Sequence, residues 1–146
     1  MFTKMGKALI KEEINQVGEN LGIVFPHDFA VHYTQYNGGY PDKEYFYSEQ
    51  ADMEKMIQLF SPLNEAVEKY TKYKERIGNI MSRYFPFAND YGANPFCIDL
   101  ETGAVCVIYM DVGAVTETSP IRVAANFESF VSGLSETSID DDDDDE

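Results

Sequence analysis

Two cysteines, two histidines and no long apolar run are the scarce features of this 146-residue sequence, and each shortage excludes a class of protein. Two thiols are too few for a disulfide scaffold, and with no secretory leader ahead of them they are expected to stay reduced. The opening Met1-Phe2-Thr3-Lys4 runs into Lys7, Lys11, Glu12 and Glu13 instead of an apolar leader core, so a cytoplasmic location is expected. No segment approaches the roughly 18 consecutive apolar residues that cross a bilayer. His27 and His32 stand five positions apart, which on a helix points them about 140° from each other, so they are not expected to share a metal. Solvent-facing or helix-capping roles suit them better. Bases are few as well, 11 against 26 acids for a net charge of −15, which disfavours direct contact with nucleic acid or with an acidic lipid surface.

Catalytic constellations are also missing. There is no G-x-S-x-G elbow, no G-x-G-x-x-G and no Lys-Ser/Thr after Gly38-Gly39 to make a phosphate loop. Pairs of carboxylates occur, but among 26 acids they arise by chance. No catalytic residue, cofactor or metal site is therefore expected, and the chain reads as a non-enzyme.

What is present is 44% apolar residues with ten Tyr and ten Phe, ample for one core in a chain of single-domain length. Ile10, Ile14, Val17 and Leu21 predict a helix stopped by Gly22. A second helix should follow Pro26, with Phe29, Tyr33 and Tyr36 on one face, and end at Asn37-Gly38-Gly39. Lys55 to Phe60 is ambiguous between strand and helix. Ser61 as N-cap and Pro62 as first helical residue predict a third helix with Leu63, Val67, Tyr70 and Ile77 inward and a basic outer face of Lys69, Lys72, Lys74 and Arg76. Phe96, Ile98 and Leu100 alternate before Glu101-Thr102-Gly103, and the apolar run Ala104 to Met110 returns, predicting a hairpin. A two-residue Thr102-Gly103 loop would set Cys97 and Cys106 diagonally, so both are read as small buried hydrophobes. A short strand at Ile121 to Val123 precedes Asn126 as N-cap, with Phe127, Phe130, Val131 and Leu134 at helical spacing.

The charge is uneven. Residues 12–54 carry −8, residues 55–83 carry +3, Tyr84 to Ile121 hold five acids and no Lys or Arg, and Asp140 to Glu146 add −7. Residues 135–146 read as a disordered acidic tail. Two loop-like stretches, Tyr40 to Tyr47 and Asn89 to Gly92, set tyrosines beside carboxylates. Tyr40, Asp42, Glu44, Asp90 and Tyr91, with Asp111 and Glu117 from the acid-only stretch, are the candidate partner-binding residues. The same tyrosines could instead simply cover a sheet edge.

Leu21-Gly22, then Phe25-Pro26-His27-Asp28-Phe29, then Tyr36-Asn37-Gly38-Gly39 resemble the opening motifs of the SUKH superfamily. Phe87-Ala88-Asn89-Asp90 with Gly92 to Asp99, and Val123 to Phe130, resemble its later strand pair and its closing strand and helix. The superfamily includes yeast cell-wall assembly regulators and bacterial immunity proteins. The resemblance implies a single α+β domain over 1–134, with a mostly antiparallel mixed sheet of about five to six strands flanked by about four helices. It implies protein binding, with Pro26, Asn37, Gly38 and Gly39 as turn and cap residues. The expected partner is the nuclease domain of a secreted toxin, a ribonuclease in the sharpest form, whose basic cleft an acidic body would oppose. An intracellular scaffold or regulator is the alternative.

Overall fold

The computed structural model describes residues 1–111 and 113–139; of the tail expected to be disordered, residues 135–146, the first five are described, and Asp140 to Glu146 lie outside the described residues. The first apolar stripe folds as α1, Lys11–Leu21, which ends at Gly22 in the left-handed region at φ 72°. Helix α2, His27–Gln35, follows Pro26 and buries Phe29, Ala30 and Tyr33. The ambiguous segment is a strand. It belongs to a six-stranded sheet in the order β3-β4-β5-β6-β7-β8, formed by Tyr45–Ser48, Met53–Phe60, Tyr84–Asp90, Pro95–Asp99, Val105–Val107 and Ile121–Ala124. All of its neighbours pair antiparallel. A ribbon not anticipated from sequence, β1 (Phe2–Thr3) on β2 (Tyr40–Pro41), lies outside it. Helices α3, Leu63–Arg76, and α4, Phe127–Ser132, complete an α+β domain.

The sheet is curled. Ser48 at one edge donates through Oγ to the Val123 carbonyl at the other, at 2.7 Å, so the two outermost strands meet at one end. The inner face carries Phe85, Phe87, Phe96, Ile98, Val105 and Val107 into the main core with Ile14, Phe29, Tyr33, Phe127 and Phe130. Phe127 lies 5.2 Å from the Phe29 ring and 5.1 Å from that of Phe87, joining α2, α4 and the sheet through edge-on contacts. The outer face buries a smaller cluster of Tyr84, Cys97, Cys106 and Ile108 beneath Met81 of a 3-10 turn, Asn79–Arg83.

The motifs explain themselves as chain crossings. Asn37 is buried; its Nδ2 donates to the Lys7 carbonyl at 2.7 Å and its Oδ1 accepts from the Leu63 N–H at 2.8 Å. It therefore caps α3 from the end of α2. That corrects the expected cap: Pro62 is the cap residue, and Ser61 is buried with its hydroxyl taken by the Lys69 ammonium at 3.1 Å. Gly38, at φ 76°, passes so close to α3 that a Cβ there would sit 2.4 Å from the Pro62 nitrogen. By contrast the Asn126 cap is as expected, its Oδ1 accepting from the Ser129 N–H at 2.7 Å. Asn126→Ala should lower stability by about 1 kcal/mol in urea denaturation.

The hairpin register also differs from expectation. Asp99 pairs with Ala104 and its carbonyl accepts from both Thr102 and Gly103, so the loop is Leu100 to Gly103 and Cys97 lies directly opposite Cys106. The longer loop wins because the Asp99 carboxylate takes the Glu101 N–H at 3.0 Å and is clamped by Arg83 at 2.8 Å through two nitrogens. Both thiols are free and buried, and burial pushes Cys106 up to about 11.

Candidate functional site

Strand β3 alternates between two environments. Phe46 and Ser48 are buried, while Tyr47 is 38% exposed. Its register with β4 pairs Tyr45 with Met56 and Tyr47 with Glu54, so these four share the outer face. Met56 is 38% exposed and Tyr91, from the β5–β6 turn, 56%. Three tyrosines and a methionine thus form an open apolar face on the part of the sheet that the 3-10 turn does not cover.

Each exposed phenol there is tied to a carboxylate. Tyr47 donates to Asp52 Oδ1 at 2.9 Å, and Asp52 sits at φ 50° in the turn after β3. Tyr91 reaches to Glu44 just before β3 and donates to its Oε2 at 2.8 Å. These bonds hold the phenolic protons, so both groups titrate above the ordinary tyrosine range. The rings are fixed in place while one oxygen of each carboxylate stays outside the phenol bond.

Asp90 lies beneath this face rather than on it. It is 6% exposed, accepts from the Gly92 and Asn94 N–H groups at 2.9 Å each, and pairs with Lys55 Nζ at 2.9 Å. Burial alone would raise its pKa, but the Lys55 and Asn94 hydrogen bonds hold it below the ordinary carboxylate range. Lys55 also donates to the Tyr109 hydroxyl at 3.1 Å, so this ammonium is spoken for. On the other flank, Ser135 exchanges backbone bonds with Tyr45, and the Ile139 N–H donates to Glu54 Oε2 at 2.6 Å. The segment just before the acidic run is therefore fastened to β3 and β4.

Of the seven residues chosen from sequence, the structure joins Glu44 and Tyr91 and stations Asp90 below them. Tyr40 and Asp42 lie on and after the β1–β2 ribbon, where the Lys4 ammonium stands 5.9 Å above the Tyr40 ring and the Asp42 N–H donates to the Met1 carbonyl. Asp111 and Glu117 are exposed in the β7–β8 loop, Glu117 in a depression with Arg83, Tyr84 and Glu101. Tyr45 and Tyr47 were missed because residues 40 to 47 read as a loop, and Met56 because the segment from Lys55 to Phe60 was open between strand and helix; Asp52 lies in the turn that joins the two strands. The in-out alternation of Tyr45-Phe46-Tyr47-Ser48 was the available signal.

A second concavity, a groove of about 490 Å³, runs between α2 and α4 over Val31, His32, Phe127 and Val131. His32 is neither solvent-facing nor a cap. Its Nε2 is buried without a partner among Phe2, Tyr36, Phe60 and Phe127, because α2 turns this position towards α4. Burial lowers its pKa to about 4. Among the described residues, no group of three or more His, Cys, Asp or Glu is placed to hold a metal, and no helix is long and apolar enough to cross a membrane. No curated protein matches the chain. The model of the SMI1 / KNR4 family (SUKH-1) matches residues 9–133, which hold α1 to α4 and the six-stranded sheet, and the chain belongs to that family.

Proposed function

We propose that the protein is an immunity protein that binds the nuclease domain of a polymorphic secreted toxin, a ribonuclease in particular, and neutralises it by blocking its basic substrate cleft. The observation that carries this reading is the open face of Tyr45, Tyr47, Met56 and Tyr91, bordered by a segment, residues 42–54, with five acids and one lysine. Tyrosine and methionine are enriched at interfaces, and a charge-complementary rim speeds capture of a cationic partner. Family membership agrees with a protein-binding role.

Co-expression with the C-terminal domain of an adjacent toxin gene should restore growth and give a complex that survives gel filtration. Failure to bind any such domain would overturn the reading in favour of an intracellular scaffold or regulator. Within a complex, Glu44→Lys and Asp42→Lys should slow association several-fold at low salt and much less at high salt, as measured by stopped-flow fluorescence, because exposed charges act through a screened field.

A further inference from the structure

The two Tyr–carboxylate pairs have a geometry that generic negative charge does not require. In each, one carboxylate oxygen holds the phenol and fixes the ring, and the other oxygen, Asp52 Oδ2 or Glu44 Oε1, lies outside that bond. A fixed aromatic face next to a carboxylate suits a guanidinium, which stacks on a ring while donating in-plane hydrogen bonds to an oxygen. An ammonium is a more strongly hydrated point charge and gains less from a flat ring. The pairs bracket β3: Glu44 precedes it and Asp52 follows it. Glu44 stands three positions before Tyr47 along the extended chain, so one anchor of each pair lies on the order of 10 Å from the other, which is the reach between residues i and i+3 of an extended segment. Met56, opposite Tyr45 between the pairs, supplies an apolar surface for the stretch joining them.

We propose that the Tyr47–Asp52 and Tyr91–Glu44 pairs are receptors for two arginine side chains about three residues apart on an extended segment of a basic partner protein. The inference deepens the reading above by naming the chemistry of the same face, and its test uses no toxin.

The probe is the capped peptide acetyl-Arg-Gly-Gly-Arg-amide, titrated into the full-length protein and followed by amide chemical shifts, with the lysine counterpart as control. Shifts should concentrate at Glu44 to Ser48, Asp52 to Met56 and Tyr91 to Gly92. The arginine peptide should bind about threefold more tightly than the lysine peptide. Tyr47→Leu with Tyr91→Leu, both exposed positions, should abolish that preference. Tyr47→Phe, which keeps the ring but frees Asp52, should retain part of it. Equal affinity for the two peptides, or shifts spread over Asp111 to Glu117 and other acids, would overturn the proposal by reducing the face to a diffuse negative field. If the peptide binds as described while no toxin domain does, the arginine receptors stand and the toxin reading falls.

Discussion

Replacing Asp90 with alanine is expected to destabilise the protein by about 3 kcal/mol, more than any other change to a carboxylate beneath or beside the tyrosine face. Three functions end together. The Gly92 and Asn94 N–H groups lose their shared acceptor, the β5–β6 turn that carries Tyr91 loses its internal tie, and Lys55, whose side chain is 15% exposed, keeps its charge without a counter-ion. Removing one partner of a buried pair costs far more than the pair contributes net, because the remaining charge is left desolvated. Asp90→Asn separates the terms: it can still accept from the turn but no longer neutralises Lys55, so its loss should be intermediate. Urea denaturation of both variants at pH 7 reads this directly. A loss below about 1 kcal/mol for Asp90→Ala would show that the turn and Lys55 do not depend on the carboxylate. Because its folded pKa is depressed, the Asp90 contribution is present above the ordinary carboxylate range and is lost as pH falls through and below it.

A second loss of similar size should appear at milder acidity and should vanish in His32→Phe. In the unfolded chain His32 takes up a proton near 6.5, whereas in the fold burial holds it neutral down to about 4. Between those values the unfolded state binds more protons than the folded one, so acidification draws the protein towards unfolding. At 1.36 kcal/mol per pH unit the loss approaches about 3 kcal/mol by pH 4, and none of it is felt above about 7. Phenylalanine fills the same aromatic nest without an orphaned nitrogen, so the variant should match or exceed the parent at neutral pH. The difference between the two proteins, measured by urea denaturation at pH 7, 5.5 and 4.5, cancels the carboxylate contributions that both share. Parallel profiles would show that His32 is not held neutral by its surroundings.

Much of the scaffold was readable in the sequence because it is written in local spacing. Ile14, Val17 and Leu21, the glycine after them, and Asn126 before Phe127 each act within a few residues of themselves. What escaped was decided across the chain. The cap of α3 comes from Asn37, 26 positions away, on an element whose packing no local pattern reports. The hairpin register turned on Asp99, whose carboxylate answers both to its own loop and to Arg83. The candidate face was half visible: Glu44 and Tyr91 were chosen as acid and aromatic, but their bond spans 47 positions. Asp90 was taken for a surface charge because a run without Lys or Arg conceals that its counter-ion, Lys55, arrives from the neighbouring strand.

The alternation along β3 has a consequence for how such a protein can change. Phe46 and Ser48 answer to the core and to the far edge of the sheet, whereas Tyr45 and Tyr47 point to the outer face. One short strand therefore carries two separable vocabularies, and the outward one can be rewritten, ring by ring, with little cost to folding. A protein whose partner drifts could follow it by substitution at these positions alone, keeping the curled sheet as a constant frame.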